Sequence, residues 1–236
     1  FCVGNYAFYY GRRRRSDRGL GIDGRLSRVP VSELRGRRVL DVGCNAGEVA
    51  LGVATVFGPA HVEGVDIDPK LVVKANAALA QAASKVGPDG VLDYFPTTAP
   101  TLLGPLPIVH APPETGFPHN VSFRLSNFLT DPVPTNQDDK FDTVLALSIT
   151  KWIHVRYGDA GLKLFFQKCW SVLRKGGALI LEPQSWEGGR GYDKAVRKNE
   201  SVGLCPTNVS AAKKARLKLR PEDFPTYLVE VIGFAS

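Results

Sequence analysis

The chain has 236 residues, 44% of them hydrophobic and 22% charged, a composition that can bury the core of one large domain and excludes wholesale disorder. Four widely spaced cysteines without a CxxC pair argue against a disulfide framework or a metal site and for a reducing compartment. No apolar run approaches the roughly 20 residues of a membrane-spanning helix, so we expect no membrane partner, while the net charge of +7 favours a polyanionic one.

The excess positive charge lies at the start of the chain. Residues 1–38 hold ten arginines and three acidic residues, which accounts for the whole net charge of +7. Arginine pairs well with phosphate, so this segment is interpreted as a basic RNA-binding arm, although a nuclear-import segment shows the same pattern. Residues 211–220 carry five further cations and no acid. Since the chain begins with Phe1 and contains no methionine, we expect a fragment whose targeting signals lie elsewhere.

Five short apolar runs are predicted to be strands, and their composition suits a parallel sheet covered on both faces. Helical segments alternate with them, which predicts a doubly wound α/β domain over residues 39–236. The predicted strands are residues 38–42, 61–66, 121–125, 141–147 and 178–182.

The clearest predicted helix covers residues 159–174, where apolar side chains recur every three or four positions. Asp159 can cap its start, and the Lys-Gly-Gly at 175–177 would end it. Two stretches do not fit the sheet. Residues 86–119 contain eight prolines and are predicted to form a surface insertion, and residues 187–212 are predicted to form a mobile loop.

A glycine turn after the first strand predicts a ligand site. Gly43 and Gly47 allow a tight turn and a close approach of a ligand to the backbone. Asp66 ends the second strand, where an acid meets ribose hydroxyls in doubly wound folds. The turn lacks the glycine patterns of dinucleotide folds and P-loops. Asp41 would repel phosphates but suit the ammonium and sulfonium of S-adenosylmethionine, which favours a methyltransferase; a turn cap is the alternative role for Asp41.

With these features in place, the chain resembles the Bicoid-interacting-3 type RNA methyltransferases. The most specific matches are TKWIH at 150–154 and EPQ-W at 182–186, in which Ser185 replaces the proline of the family pattern. The family sheet ends with two further antiparallel strands, and this chain stops near the point where they would begin. The other matching segments are residues 4–11, 23–26, 41–47, 66–69, 117–123, 126–128 and 217–228.

The resemblance implies a Rossmann-like class I methyltransferase sheet, mostly parallel and lacking its last two strands here. It implies S-adenosylmethionine as donor, S-adenosylhomocysteine as product, and a small non-coding RNA with a 5′-triphosphate as acceptor, methylated on its γ-phosphate. A nuclear location, with a cytoplasmic one left open, and other proteins of a ribonucleoprotein follow as expectations. The implied cofactor contacts are Tyr10, Arg25, Gly43, Cys44, Asn45, Asp66, Ile67, Asn127, Phe128 and Leu147, beside Asp41 and Gly47 of the turn.

The stretch after the fourth strand carries three potential cations and an indole at the carboxyl end of a strand, where α/β folds bind ligands. A terminal phosphate is already anionic, so methyl transfer needs in-line positioning and charge compensation rather than a general base. Lys151 and His154 are therefore predicted to be catalytic and to bind RNA. Trp152 and Arg156 are predicted to bind RNA as well.

Two further groups would complete the site. Glu182 ends the fifth predicted strand and Gln184 follows it, and both are predicted to be catalytic residues that position the donor or the acceptor; a loop cap is the alternative role for Glu182. Aromatic side chains interleaved with arginine match stacking and phosphate binding at an exposed 5′ nucleotide. On this basis Tyr6, Tyr9 and Arg13 are predicted to bind RNA.

Two other functions fit the same residues. A methyltransferase could act on an RNA 5′-monophosphate or on a ribose 2′-hydroxyl, and the hydroxyl would need a base or a cation that lowers its pKa. Alternatively, an RNA-binding scaffold within a ribonucleoprotein could keep the cofactor site for structure alone.

Overall fold

In a computed structural model of the chain, five strands form one sheet with the order β3-β2-β1-β4-β5, and every neighbouring pair is parallel. The structure describes residues 22–109, 111–187, 191–192, 195 and 215–235. The first four strands have the predicted bounds, whereas the fifth begins five residues earlier than predicted. The strands are β1 (Arg38–Val42), β2 (His61–Asp66), β3 (Val121–Leu125), β4 (Phe141–Leu147) and β5 (Leu173–Glu182).

Helices cover both faces of the sheet, as the predicted doubly wound fold requires. Side chains alternate along β1, so that Val39 packs into one apolar cluster and Leu40 into another on the opposite face. The helices are α1 (Glu48–Val56), α2 (Pro69–Ala83), α3 (Thr98–Leu103), α4 (Thr150–Val172) and α5 (Phe224–Tyr227), which continues into a π-helical turn (Leu228–Ile232).

The helix predicted over residues 159–174 is the second part of α4. This helix starts at Thr150 and is broken at Gly158, whose φ of 68° is left-handed. The prediction that Asp159 caps the helix is wrong, because its carboxylate accepts from the distant backbone N–H groups of Lys218 and Leu219. The helix ends at Val172, before the Lys-Gly-Gly segment.

The segments outside the sheet differ in how they pack. The described residues 86–109 and 111–119 include the short helix α3, and Leu102 and Leu103 in it are 82% and 88% exposed. Leu26 and Leu34 are fully buried against α1, so the folded body begins within the predicted arm. Residues 1–21, and most of the predicted loop at 187–212, lie outside the described residues. In the described ranges, no helix has the length and apolar character needed to cross a membrane.

Candidate active site

The carboxyl edge of the sheet collects polar side chains from four neighbouring strands. Asp41 lies near the end of β1, Asp66 ends β2, Ser148 follows β4 and Glu182 ends β5. Because adjacent strands are about 4.8 Å apart, the four positions fall within about 15 Å along one edge. Strand ends of this kind are where doubly wound folds bind their ligands.

The turn between β1 and α1 is shaped by left-handed backbone. The φ angles are 75° at Gly43, 53° at Asn45 and 84° at Gly47. A Cβ atom on Gly47 would lie 2.6 Å from the ring of Phe123, so only glycine fits there. The backbone N–H of Asn45 donates to Asp66 Oδ2 at 2.9 Å, which fixes the turn against the end of β2.

Asp66 organises the backbone on both sides of it. Its second oxygen, Oδ1, accepts from the backbone N–H of Asp68 at 2.9 Å. Burial raises the pKa of Asp66, and these backbone N–H groups oppose the rise. Each carboxylate oxygen keeps acceptor capacity, so the group remains able to bind the hydroxyls of a ligand.

Asp41 is an incompletely satisfied buried carboxyl group. It is only 3% exposed, and its Oδ2 atom has no hydrogen-bond partner in the described part of the chain. Burial raises the pKa of Asp41 to about 7; nearby Arg25 opposes this rise, whereas Asp66 and Asp23 add to it. A positively charged ligand beside Asp41 would pair with the unbonded Oδ2 atom and favour the ionised carboxylate.

Arg25 connects the two halves of the edge. Its guanidinium donates from Nε and Nη2 to the two oxygens of Asp23, both at 2.8 Å, and from Nη1 to Glu182 Oε2 at 2.9 Å. Ser148 Oγ donates to the same Glu182 oxygen at 2.5 Å from a left-handed backbone with a φ of 62°. Non-glycine residues with such backbone cluster at functional sites. The sequence prediction assigned no role to Asp23 or Ser148.

Lys151 and Gln184 are brought together although they follow different strands. Gln184 Oε1 accepts from the Thr150 hydroxyl and from the Lys151 backbone N–H, each at 3.3 Å. The Nε2 atom of Gln184 is buried without a hydrogen-bond partner in the described ranges. Lys151 is 4% exposed, and its Nζ lies 5.1 Å from the ring centre of Trp152. The Gln184 Nε2 atom is therefore a donor that an anionic group beside it could accept from.

His154 occupies a different environment from Lys151. Its imidazole is fully buried, with Nε2 at 2.6 Å from Asp159 Oδ1 and Nδ1 at 3.0 Å from the Tyr192 hydroxyl. Both ring nitrogens are therefore engaged inside the protein. Arg156 is partly exposed, with its guanidinium 5.4 Å from the ring centre of Tyr157.

The remaining predicted cofactor contacts lie beside the carboxyl edge. Asn127 follows Ser126, whose backbone N–H donates to the Asp66 carbonyl at 2.8 Å. The Oδ1 atom of Asn127 accepts from the Leu129 backbone N–H at 3.3 Å. Phe128 is buried and packs edge-on against Phe165, with ring centres 5.7 Å apart. Cys44 is buried, and Ile67 and Leu147 are partly buried. Tyr6, Tyr9, Tyr10 and Arg13 lie outside the described residues.

Comparison with known proteins identifies the family. The family model described as Bicoid-interacting protein 3 (Bin3) matches residues 141–236. The whole chain is 31% identical to a probable RNA methyltransferase of Arabidopsis thaliana and covers 73% of its length. The chain belongs to the Bin3 family. The resemblance found from the sequence motifs is thereby confirmed, as is the Rossmann-like fold class, which the parallel sheet order shows directly.

Two further relatives match the whole chain. It is 33% identical to the human 7SK snRNA methylphosphate capping enzyme and 31% identical to the U6 snRNA methylphosphate capping enzyme of Drosophila melanogaster. The chain covers 67% of the Drosophila protein but 36% of the human one, so it spans about a third of the length of that relative.

Proposed function

We propose that the chain is an S-adenosylmethionine-dependent methyltransferase that methylates the γ-phosphate at the 5′ end of a small non-coding RNA. One observation carries this proposal. A buried acidic pocket around Asp41 and the first turn of α4, which bears Lys151, lie on the same edge of the sheet. The names of the human and Drosophila relatives support the choice of a terminal phosphate as acceptor.

The acidic half of the edge fits the proposed cofactor. Among the described residues, Arg25 pairs with Asp23 and Glu182, and Asp41 lies near Arg25, Asp23 and Asp66. Acidic groups therefore outnumber basic ones in the described part of this pocket. A phosphate-bearing dinucleotide would be repelled there, whereas a ligand with an ammonium and a sulfonium would be attracted. S-adenosylmethionine supplies a methyl group on a positively charged sulfur, which an oxygen nucleophile can attack.

Individual side chains have separate tasks toward this cofactor. The Asp66 carboxylate would accept from ribose hydroxyls, as acids at this position do in doubly wound folds. Asn127 would bind the adenine edge beside Phe128, and the backbone of the turn at 43–47 would allow the cofactor to approach closely. Arg25 would face the cofactor carboxylate while remaining paired with Asp23.

The opposite half of the edge would hold the RNA terminus. The Lys151 ammonium would neutralise charge on the triphosphate, and the buried Nε2 of Gln184 would donate to a phosphate oxygen. A terminal phosphate is ionised near neutral pH, so these groups need only hold the attacking oxygen in line. Trp152 and Arg156 would contact the following nucleotides.

Location and partners are part of the same proposal. The relatives act, by their names, on small nuclear RNAs, which supports a nuclear location for this chain. Such RNAs work within ribonucleoproteins, so other RNA-binding proteins are the expected partners.

Transfer of a radiolabelled methyl group to three RNAs of one sequence tests this function. The RNAs carry a 5′-triphosphate, a 5′-monophosphate or a 5′-hydroxyl. We expect label on the triphosphate RNA alone, and its loss when an enzyme hydrolyses the triphosphate chain. Preference for the monophosphate RNA would indicate the alternative phosphate acceptor. Label that stays with the nucleoside would indicate ribose methylation, and RNA binding without any label would indicate a scaffold.

A further inference from the structure

A buried hydrogen-bonded relay lies behind the proposed phosphate-binding turn. It consists of Asp159, His154 and Tyr192, and both its histidine and its tyrosine are fully buried. Burial raises the pKa of Asp159, but hydrogen bonds from His154, Lys218 and Leu219 outweigh this effect and hold the pKa below its usual range. This carboxylate is therefore ionised. Burial lowers the pKa of His154, which favours the neutral ring. Asp159 therefore accepts from His154 Nε2, and the ring accepts from the Tyr192 hydroxyl at Nδ1.

The relay joins three segments that are far apart in the chain. The break of α4 at Gly158 turns Asp159 back toward His154, five residues before it. Asp159 also accepts from the backbone N–H of Lys218 at 3.0 Å, which ties in the 215–220 segment. Tyr192 packs on Trp186, with ring centres 4.8 Å apart, and so ties in the stretch after β5.

The relay is connected to the residues proposed to bind phosphate at two of its members, His154 and Tyr192. Lys151 lies one helical turn before His154 and therefore on the same face of α4. Gln184, which accepts from the Lys151 backbone N–H, lies two residues before Trp186. A shift of the first turn of α4 relative to the stretch after β5 would therefore move Lys151 and Gln184 apart.

We propose that Asp159 and Tyr192, acting through His154, are positioning residues that fix the Lys151 turn against Gln184 for methyl transfer. This inference rests on the proposed function, and it gives His154 a role inside the protein in place of the predicted contact with RNA. Two fully engaged ring nitrogens at zero exposure suit a group that orients its neighbours.

Tyr192→Phe is the sharpest test, because it removes one hydroxyl and keeps the ring packed on Trp186. We expect kcat with triphosphate RNA to fall about tenfold, through misplacement of Lys151, with the KM for RNA and the Kd for S-adenosylmethionine unchanged. Tyr227→Phe is the matched control, since this ring packs on Phe166 away from the relay, and it should leave all three constants unchanged.

A second pair of variants separates hydrogen bonding from packing. His154→Gln keeps a donating NH2 group and an accepting carbonyl, whereas His154→Leu has neither, so the glutamine variant should retain more kcat at equal folded fraction. If His154 contacts RNA instead, both variants raise the KM for RNA and Tyr192→Phe is silent. If the cluster merely supports the fold, kcat falls only in proportion to the folded fraction. Either result overturns the relay.

Amide hydrogen exchange provides a readout that does not depend on RNA chemistry. In Tyr192→Phe and Asp159→Asn, the amides of residues 150–154 should exchange faster than in the unaltered chain, with little change in the turn at 43–47. Faster exchange together with no transfer by the unaltered chain would leave the relay standing and refute the proposed function. Unchanged exchange and unchanged kcat in both variants would refute the relay alone.

Discussion

The two halves of the carboxyl edge are built by contacts of very different range. In the β1–β2 half, the backbone of Asn45 donates to Asp66 across 21 residues of sequence. In the β4–β5 half, Lys151 meets Gln184 across 33 residues, and Asp159 meets Lys218 across 59. In both halves a backbone N–H donates to a side-chain oxygen, but the contacts of the second half join segments that lie further apart in the sequence.

The halves also differ in their charged side chains. Asp41 and Asp66 make the first half acidic, whereas the second half carries both Glu182 and Lys151. The proposed function assigns the cationic cofactor to the first half and the RNA phosphates to Lys151. Arg25 joins them by reaching from the first half to Glu182, 157 residues away. A substitution in the first half should therefore weaken cofactor binding, whereas one in the second half should lower RNA methylation without weakening cofactor binding.

The largest effect is expected for Lys151→Ala. Loss of one charged group that stabilises a triphosphate should lower kcat for methyl transfer about 100-fold, because the ammonium no longer offsets the phosphate charge. The Kd for S-adenosylmethionine, measured by calorimetry, should change by less than about twofold, since Lys151 lies in the other half.

Lys163→Ala is the matched control, because it removes a lysine from the exposed part of the same helix. We expect transfer by this variant to equal that of the unaltered chain. Equal losses of transfer and cofactor affinity in Lys151→Ala would instead mean that Lys151 supports the fold of both halves.

The next effect, on stability rather than activity, is expected for Gly47→Ala. The left-handed backbone alone costs about 1 kcal/mol, and the clash of the new Cβ with Phe123 adds about 2 kcal/mol. Gly58→Ala provides the comparison, because Gly58 has a φ of 61° but a Cβ added there would have nothing within 4 Å. Urea unfolding should show a loss of about 3 kcal/mol for the first variant and about 1 kcal/mol for the second. Equal losses would show that Phe123 moves aside freely.

The same difference in range explains what the sequence could predict. The glycine turn and the bounds of β1 to β4 depend on neighbouring residues, so apolar runs and glycine spacing predict them, whereas the start of β5 at Leu173 lies five residues before its apolar run. The placement of Asp66 at the carboxyl edge could be predicted because this residue ends the apolar run that forms β2. By contrast, neither the left-handed backbone of Ser148 nor the hydrogen bond between His154 and Tyr192, 38 residues apart, has a local signature. His154 was predicted to bind phosphate because it stands beside Lys151 in sequence, whereas its surroundings come from distant segments.

The smallest expected effect concerns pH and tests the acidic half alone. The pKa of Asp41 is raised to about 7 by burial, so near neutral pH part of the free protein carries a neutral Asp41. A cationic cofactor favours the ionised form, and binding should release a proton. The Kd for S-adenosylmethionine should then rise by up to about tenfold per unit as the pH falls below about 7. Asp23, Arg25 and Asp66 also act on this group, so calorimetry in buffers of different ionisation enthalpy should count the protons released.

Asp41→Asn serves both as the control and as a check of sign. The asparagine cannot titrate, so the variant should bind more weakly above pH 7 and lose most of the slope below it. The folded pKa of Asp41 exceeds its unfolded value of about 3.9, so this group contributes fully to the free energy of unfolding below about pH 3.9. That contribution is lost as the pH rises from there to about 7. Asp41→Asn should therefore flatten the stability profile over that window. If the variant keeps the full slope of cofactor affinity, another carboxyl group of the pocket carries the titration, and Asp66, whose pKa is also raised, is the next to replace.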